Sequence, residues 1–438
     1  MYEPRHQWPD DWPAMPLADI ARHVTSGGTP TSGSPRYYTE HNGIPFAKTE
    51  DLTRARSKYL EQCELQITAS ALKESAAKRY PIGTILVSMY GTIGATKVTA
   101  CELAANQALC ALIPPFSCHP DYLYHHLEYI RPDWVRFSGQ TTQANINGAT
   151  VRARRIPLPN ASEQRKIAQI LDTLATAIRE TDAIIDKLKL VKQGLLHDLL
   201  TRGVDENGEL RLPPSEAPHL YKESPLGWIP NEWGVLNLGD VAAINSGVTL
   251  GRSLTGHGAI ELPYLRVANV QDGYVDLSDI KTVVVLRDEI ERFALADGDV
   301  LMNEGGDYDK LGRGTVWRAQ INPCLHQNHV FRVRCNREVL VPDYLAAYSA
   351  SPRGKAFFVL SSKQSTNLAS INSTQLKAFP IECPSLPEQY RIMEKLDSVD
   401  GRVSSEQSEL QKLRAFKSAL MDDLLTGRVR VTPLLEQQ

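Results

Sequence analysis

Nearly every recognisable motif in this 438-residue chain occurs twice, in the same order, and that limits the possible folds more than any other feature. WPAMPLADI at 12–20 answers to WGVLNLGDV at 233–241, and Ser26-Gly27-Gly28-Thr29 answers to Ser246-Gly247-Val248-Thr249. IPFAK at 44–48 matches LPYLR at 262–266, and GTIL at 83–86 matches GDVL at 298–301. Asn106-Gln107 faces Gln327-Asn328, and Ile146-Asn147 faces Ile371-Asn372. The offset drifts between 215 and 225 residues, as duplication followed by changes in loops produces. It then locks: IPLPNASEQRKI at 156–167 aligns without a gap on IECPSLPEQYRI at 381–392, and the match runs on to Leu-Leu-Thr at 199–201 and 424–426. A segment that has accepted no insertion is one whose length matters.

Both locked segments begin like helices, with Asn160-x-x-Glu163 and Ser385-x-x-Glu388 spaced as capping boxes. Neither contains proline after its first turn. Ile167, Leu171, Leu174, Ile178, Ile185, Leu188, Leu195 and Leu199 follow a 4-3 spacing, and Ile392, Leu396, Val399, Val403, Leu410, Leu413, Leu420 and Leu424 fill the same slots. One apolar seam per helix is the pattern of a coiled coil. The polar interruptions coincide as well, Thr181 with Glu406 and Lys192 with Lys417, and Gly203 and Gly427 stand as stops. Each helix is expected to run about 38 residues, roughly 57 Å. An isolated helix of that length has no core to cover its seam, so the two are expected to pair, antiparallel by pseudo-two-fold symmetry. Beside the seam, Ile170, Ile184 and Phe416 are left for a partner's helices.

The remaining sequence has short β-type runs, at 84–87, 109–113, 283–286, 299–302 and 330–333, and short helical patterns near 120–130 and 342–350. The expected fold is α+β: two repeated mixed α/β domains and two long antiparallel coiled-coil helices. The expected boundaries are 1–159 for the first globular domain and 160–203 for the first helix, then 204–232 for a linker. The second domain follows at 233–384, the second helix at 385–427 and a tail at 428–438. Five prolines make the linker read as extended and semi-rigid.

Composition excludes several classes. No run of 18 apolar residues exists to cross a membrane, and the N-terminus lacks an apolar leader core, so a cytoplasmic protein is expected. Seven cysteines, an odd number with no CxxC pair, argue against a disulfide framework or a zinc site. There is no GxxxxGK[ST] loop for ATP, no HExxH, and the IPPF at 113–116 starts with a side chain that accepts no hydrogen bond from a base amine. The chain is therefore expected to carry no catalytic residue, metal or cofactor of its own. A net charge of -3 does not favour DNA binding, and the halves differ: residues 1–160 hold 16 Lys/Arg against 14 Asp/Glu, whereas 204–384 hold 17 against 22. DNA binding would require basic residues gathered on one face.

Two amide- and hydroxyl-rich stretches, 140–147 and 364–372, have the chemistry of direct base readout, with Gln140, Thr141, Thr142, Gln143 and Asn145 the candidates in the first half and Gln364, Ser365, Thr366 and Asn367 in the second. Lys48, Arg54 and Arg56, with Arg266, Lys310 and Arg313, are candidates for phosphate or guanine contacts. Thr29, Thr49, Tyr90, Thr92, Thr249, Asn269 and Asn303, in or near loops that follow matched strands, complete the candidate DNA-binding set.

Two globular halves, each ending in I-P-x-P-x-x-x-E-Q-x-x-I or its variant and followed by a long helix closing in L-L-T, resemble the specificity subunits of type I restriction-modification systems. The likeness spans almost the whole chain, including GGTP at 27–30, Thr92-Ile93-Gly94, Asn106-Gln107 and PLGWIPNEW at 225–233. It implies two target recognition domains, each reading half of a bipartite, asymmetric site in double-stranded DNA, with the helices setting the gap. It also implies partners: methyltransferase subunits, two of them, and motor/nuclease subunits, with S-adenosylmethionine and ATP bound there. The second half departs at Val248, where the first has Gly28, and at Cys383. Two rival readings remain open, a coiled-coil scaffold with duplicated protein-binding domains and an enzyme with an unrecognised site.

Overall fold

The structure is a computed structural model that describes residues 8–137, 145–251, 258–306, 312, 314–364 and 369–436. The chain divides into two compact units, residues 1–185 with 406–438, and residues 186–405. Each unit contains one repeated globular half and a portion of both long helices.

In the first unit the main sheet orders its strands as Ala21–Ser26, Leu109–Phe116, Ile85–Ser88, Thr96–Thr99 and Tyr59–Leu60. Its central strands are buried on both faces, which is why they read as continuous apolar runs. Ile85, Val87, Cys110 and Leu112 face a core shared with helix Pro120–Tyr129 and the start of the first long helix, and Leu86, Leu109 and Ala111 face a second core. A second sheet runs Tyr38–Thr39, Leu65–Ile67, Ile44–Ala47, Leu103–Ala105, Arg79–Tyr80.

The second unit repeats the scheme. Its main sheet runs Ala242–Ser246, Val330–Cys335, Val300–Asn303, Gly314–Val316, and the period of two again divides two cores, with Val300, Met302, Phe331 and Val333 on one side and Leu301 and Val330 on the other. A parallel pair recurs as well, Leu103–Ala105 beside Ile44–Ala47 and Leu325–His326 beside Ala259–Leu265. The globular halves are closed alike, by Ala14–Pro16 on Arg155–Pro157 and by Gly234–Asn237 on Pro380–Cys383. Cys383 fills the buried slot that Leu158 fills in the first half.

The long helices run unbroken over Ala161–Thr201 and Leu386–Leu425. Every position of the expected seam is buried or half-buried. Within the first unit the helices lie antiparallel, with Glu163 bonded to Arg430 and Asp182 to Arg414 at 2.9 Å. Within the second they do so again, with Lys192 2.6 Å from Asp400 and Glu388 accepting from the Val204 N–H.

The glutamates of the capping boxes do more than cap. Asn160 Oδ1 accepts from the Glu163 N–H at 2.9 Å, as expected of a cap, but the buried Glu163 carboxylate accepts from Arg430 at 2.8 and 3.0 Å, and Arg430 also holds Asp11. Glu388 likewise takes Arg211, the Val204 N–H and the Trp233 indole. The glutamine beside each glutamate anchors the short helix of its globular half: Gln164 accepts from the His119 N–H at 2.7 Å and Gln389 from the Val341 N–H at 2.8 Å. The repeated glutamate thus ties the start of each long helix to the segment that follows the other, and the glutamine ties that start to its own globular half.

The segment expected as an extended linker is folded. Tyr221–Ser224 pairs antiparallel with Gly227–Pro230, and Val204, Ala217, Tyr221 and Ile229 are buried. Its prolines remove donors, yet the apolar residues between them supply area to bury, and that outweighs the preference for extension. Among the described residues no helix is long and apolar enough to cross a membrane, and no group of His, Cys, Asp and Glu is placed to hold a metal ion.

Candidate nucleic-acid interface

At one end of the main sheet in each unit, four loops are laced together by backbone hydrogen bonds, three of which correspond between the units: Gly28 to Ala105 with Val248 to His326, Met89 to Ala108 with Glu304 to His329, and Ile146 to Met89 with Ile371 to Glu304. In the first unit the Gly27 and Gly28 N–H groups donate to Leu109 and Ala105 at 3.1 and 3.0 Å, Met89 donates to Ala108 at 2.8 Å, and Ile146 to Met89 at 3.0 Å. In the second, Val248 donates to His326 at 2.7 Å, Asn328 to Val248 at 3.0 Å, Glu304 to His329 at 3.0 Å, and Ile371 to Glu304 at 2.8 Å. The motifs matched in sequence are the residues that make this lacing. Ile146 and Ile371 are buried anchors, while Asn147 and Asn372 cap the short helices that follow, each accepting from an N–H at 2.9 Å. Gly27 and Gly247 are glycine because a Cβ would stand 2.1 Å from the Ala105 oxygen and 1.9 Å from that of His326.

The departure at Val248 is resolved by its surroundings. A Cβ on Gly28 would meet the Ala76 backbone at 2.3 Å, whereas Val248 fills an apolar cluster with Leu262 and Val285. Different neighbours, rather than a different backbone, set the residue.

Around this end in the first unit, Thr29, Thr92 and Asn145 are exposed and Tyr90 is 45% exposed. Asn145 forms an isolated β-bridge with Tyr90, and the Thr29 hydroxyl donates to Gln107. Thr249 is exposed in the second unit. The structure therefore brings Thr29, Tyr90 and Asn145 to one end of the first sheet, near Thr92, and Thr249 to the matching end of the second.

Other candidates are placed differently. Asn269 is buried, where its Oδ1 caps the Arg266 N–H at 2.9 Å and its amide donates to Asp276 and Asp279, so it shapes a turn rather than facing a base. Asn303 is also buried, donating to the Val270 carbonyl at 3.2 Å. Both corrections have one cause: a short polar residue beside a strand end is used first by nearby backbone groups. The signal was readable, because Asp51 caps the Lys48 N–H in the first half as Asn269 caps Arg266.

Lys48 and Thr49 are half-buried at the start of helix Thr49–Arg54. The exposed Arg54 is paired with Glu64, and Arg266 with Asp279 at 2.9 Å. Gln364 lies in a short strand paired with Ala369–Ser370. Gln140, Thr141, Thr142, Gln143, Lys310, Arg313, Ser365, Thr366 and Asn367 lie outside the described residues. On the long helices Ile184 and Phe416 are exposed, whereas Ile170 packs partly against the first core and presents less of itself.

The sequence marks 303–306 as a loop after a matched strand, yet neither Glu304 nor His329 is among the candidate residues drawn from it. They stand at the laced end of the second unit, their side chains 2.6 Å apart. The signal available was a carboxylate at 304 where the repeat has Met89. The other titratable groups point to structure: burial lowers His326 to about 4, and burial pushes the Cys110 and Cys324 thiols up to about 12.

The sequence profile of the type I restriction modification DNA specificity domain matches twice, over residues 9–190 and 230–415. The specificity subunit of the type I restriction enzyme MjaIX from Methanocaldococcus jannaschii is 22% identical over 97% of this chain and 95% of its own length. That of EcoBI from Escherichia coli is 22% identical over 98% and 92%. Among solved structures, a chain from a type I system studied for complex assembly and conformational transition aligns over 97% of this chain and all of its own, with a TM-score of 0.58 at 15% identity. The S subunit from M. genitalium aligns over 97% of both chains, with a TM-score of 0.53 at 13% identity. Two profile matches over most of the chain, falling on halves laced by one hydrogen-bond pattern, place this protein in the family of type I restriction-modification DNA specificity subunits.

Proposed function

We propose that this chain is the DNA-reading subunit of a type I restriction-modification complex, each laced loop end reading one half of a bipartite, asymmetric site. The observation that carries the reading is the same loop scaffold built twice, with different side chains mounted on it: Met89 and Ala108 in one, Glu304 and His329 in the other. Duplicated scaffolds with divergent contents suit two related but unequal targets. Bases are read by edge contacts, whereas basic residues fix position on the phosphates, and a net charge of -3 leaves most of that neutralisation to partner subunits.

In this reading the long helices set the spacer between the two half-sites and offer Ile184 and Phe416 to partners. Those partners are two methyltransferase subunits and a motor/nuclease subunit, working in the cytoplasm. S-adenosylmethionine and ATP belong to them, and this chain contributes recognition rather than chemistry. The test is competition binding at physiological salt by the chain in complex with its methyltransferase subunits. One bipartite sequence should outcompete scrambled DNA by about a thousandfold or more. Salt-sensitive binding without such preference would favour a scaffold instead.

A further inference from the structure

We propose that Glu304 is a base-reading residue of the second half, accepting a hydrogen bond from the N4 amino group of a cytosine in the major groove, and that His329 is the positioning residue that aims it. This inference rests on the DNA-reading function proposed above and names what one point of that surface recognises.

Glu304 sits on a fixed backbone. It follows strand Val300–Asn303, every residue of which is buried, its N–H donates to the His329 carbonyl at 3.0 Å, and its own carbonyl accepts from Ile371 at 2.8 Å. Its side chain is half-buried and held by a second contact, His329 Nδ1 to Glu304 Oε2 at 2.6 Å. The far ring nitrogen of His329 faces the Asn328 amide at 3.4 Å. That pattern fits the tautomer in which Nδ1–H donates to the carboxylate and Nε2 accepts from the amide. Among the described residues, this engages one carboxylate oxygen, Oε2, and leaves Oε1 to a ligand.

A carboxylate on a surface that meets a polyanion repels phosphate, so it serves such a surface only by pairing with a donor. In the major groove the donors are exocyclic amines. Guanine presents two acceptors and thymine an acceptor and a methyl group, while the adenine amine lies beside the N7 acceptor, which an acceptor-only carboxylate also repels. Cytosine N4 has no such neighbour on its own base. The first half has no counterpart, since Met89 is buried and Ala108 carries no polar group, so the contact belongs to one half-site only.

The experiment uses the complex of this chain with its methyltransferase subunits on a randomised DNA library, with the methylated molecules sequenced. The wild-type complex should require a C·G pair in one half-site. Glu304→Gln, whose amide suits adenine, should relax that position about tenfold and admit adenine, leaving the other half-site and the spacing unchanged. His329→Ala should weaken discrimination at the same position, a readout that general destabilisation would spread over all positions. An unchanged motif for Glu304→Gln, a loss spread evenly over both half-sites, or half-sites without a required C·G pair would overturn the proposal. A wild-type complex without any bipartite preference would remove the DNA-reading function itself, whereas a specific wild-type complex indifferent to Glu304→Gln removes this inference alone.

Discussion

Asp172, one turn past the start of the first long helix's seam, shows how single side chains tie that helix to its globular half. Its carboxylate lies 2.8 Å from the Lys58 ammonium and 3.0 Å from the buried Nε2 of His125. Burial works against its ionisation, but the bonds from His125 and Lys58 outweigh that and bring its pKa down to about 2 from an ordinary 3.8. The sign follows from linkage: a carboxyl lowered in the folded state contributes stability above its unfolded pKa and loses it as pH falls through the folded one. Asp172→Asn should therefore cost about 1–2 kcal/mol near neutral pH, allowing for its partial exposure. The difference in urea midpoint between the two proteins should shrink as pH is lowered from about 4 towards 2. Equal midpoints at neutral pH would mean the cluster contributes nothing. Residue-scale roles of this kind were hidden in the sequence because Lys58, His125 and Asp172 come from three separate segments. Those that were legible, such as Asn160 in its capping box with Glu163, act on backbone only three residues away.

At the scale of elements, the long helices were the most legible part of the chain, because a 4-3 spacing repeated in two copies leaves little freedom. What spacing could not give was the purpose of their ends. Gly203 and Gly427 were read as stops, and both have positive φ, 64° and 75°. Each also lies where a Cβ would strike the joint between the repeats, 2.2 Å from Glu388 Oε1 and 2.5 Å from Trp233 at Gly203, and 2.5 Å from Pro9 at Gly427. Gly203→Ala and Gly427→Ala should each destabilise by about 2–3 kcal/mol, from left-handed backbone and displaced partners together. Gly194→Ala, inside the first helix with open space around it, should instead stabilise by about 0.5–1 kcal/mol. Urea unfolding of the three variants checks the contrast, and a Gly203→Ala protein as stable as wild type would deny that the joint is tightly packed. The proline-rich segment was the element misread, since proline content reports local stiffness and says nothing of the apolar residues between.

At the scale of the whole molecule, duplication is the property from which function follows. The two halves retain the corresponding lacing hydrogen bonds, the Glu-Gln joints and the seam, while the side chains around each laced end have diverged. The repeat was visible in the sequence because those retained groups are backbone-bound glycines, caps and helix seams, which tolerate few substitutes. The side chains proposed to read bases were far less visible, since exposed polar side chains take their meaning from position rather than pattern. The most direct test of two independent reading halves is a chimera in which residues 234–383 are replaced by a second copy of 13–158, assembled with the methyltransferase subunits. The sequence of its methylated sites is then determined. Two copies of the first half-sequence in inverted orientation are expected, a symmetric target replacing an asymmetric one. Retention of the original second half-sequence by a folded, active chimera would contradict the assignment of one half-site to each half of the chain.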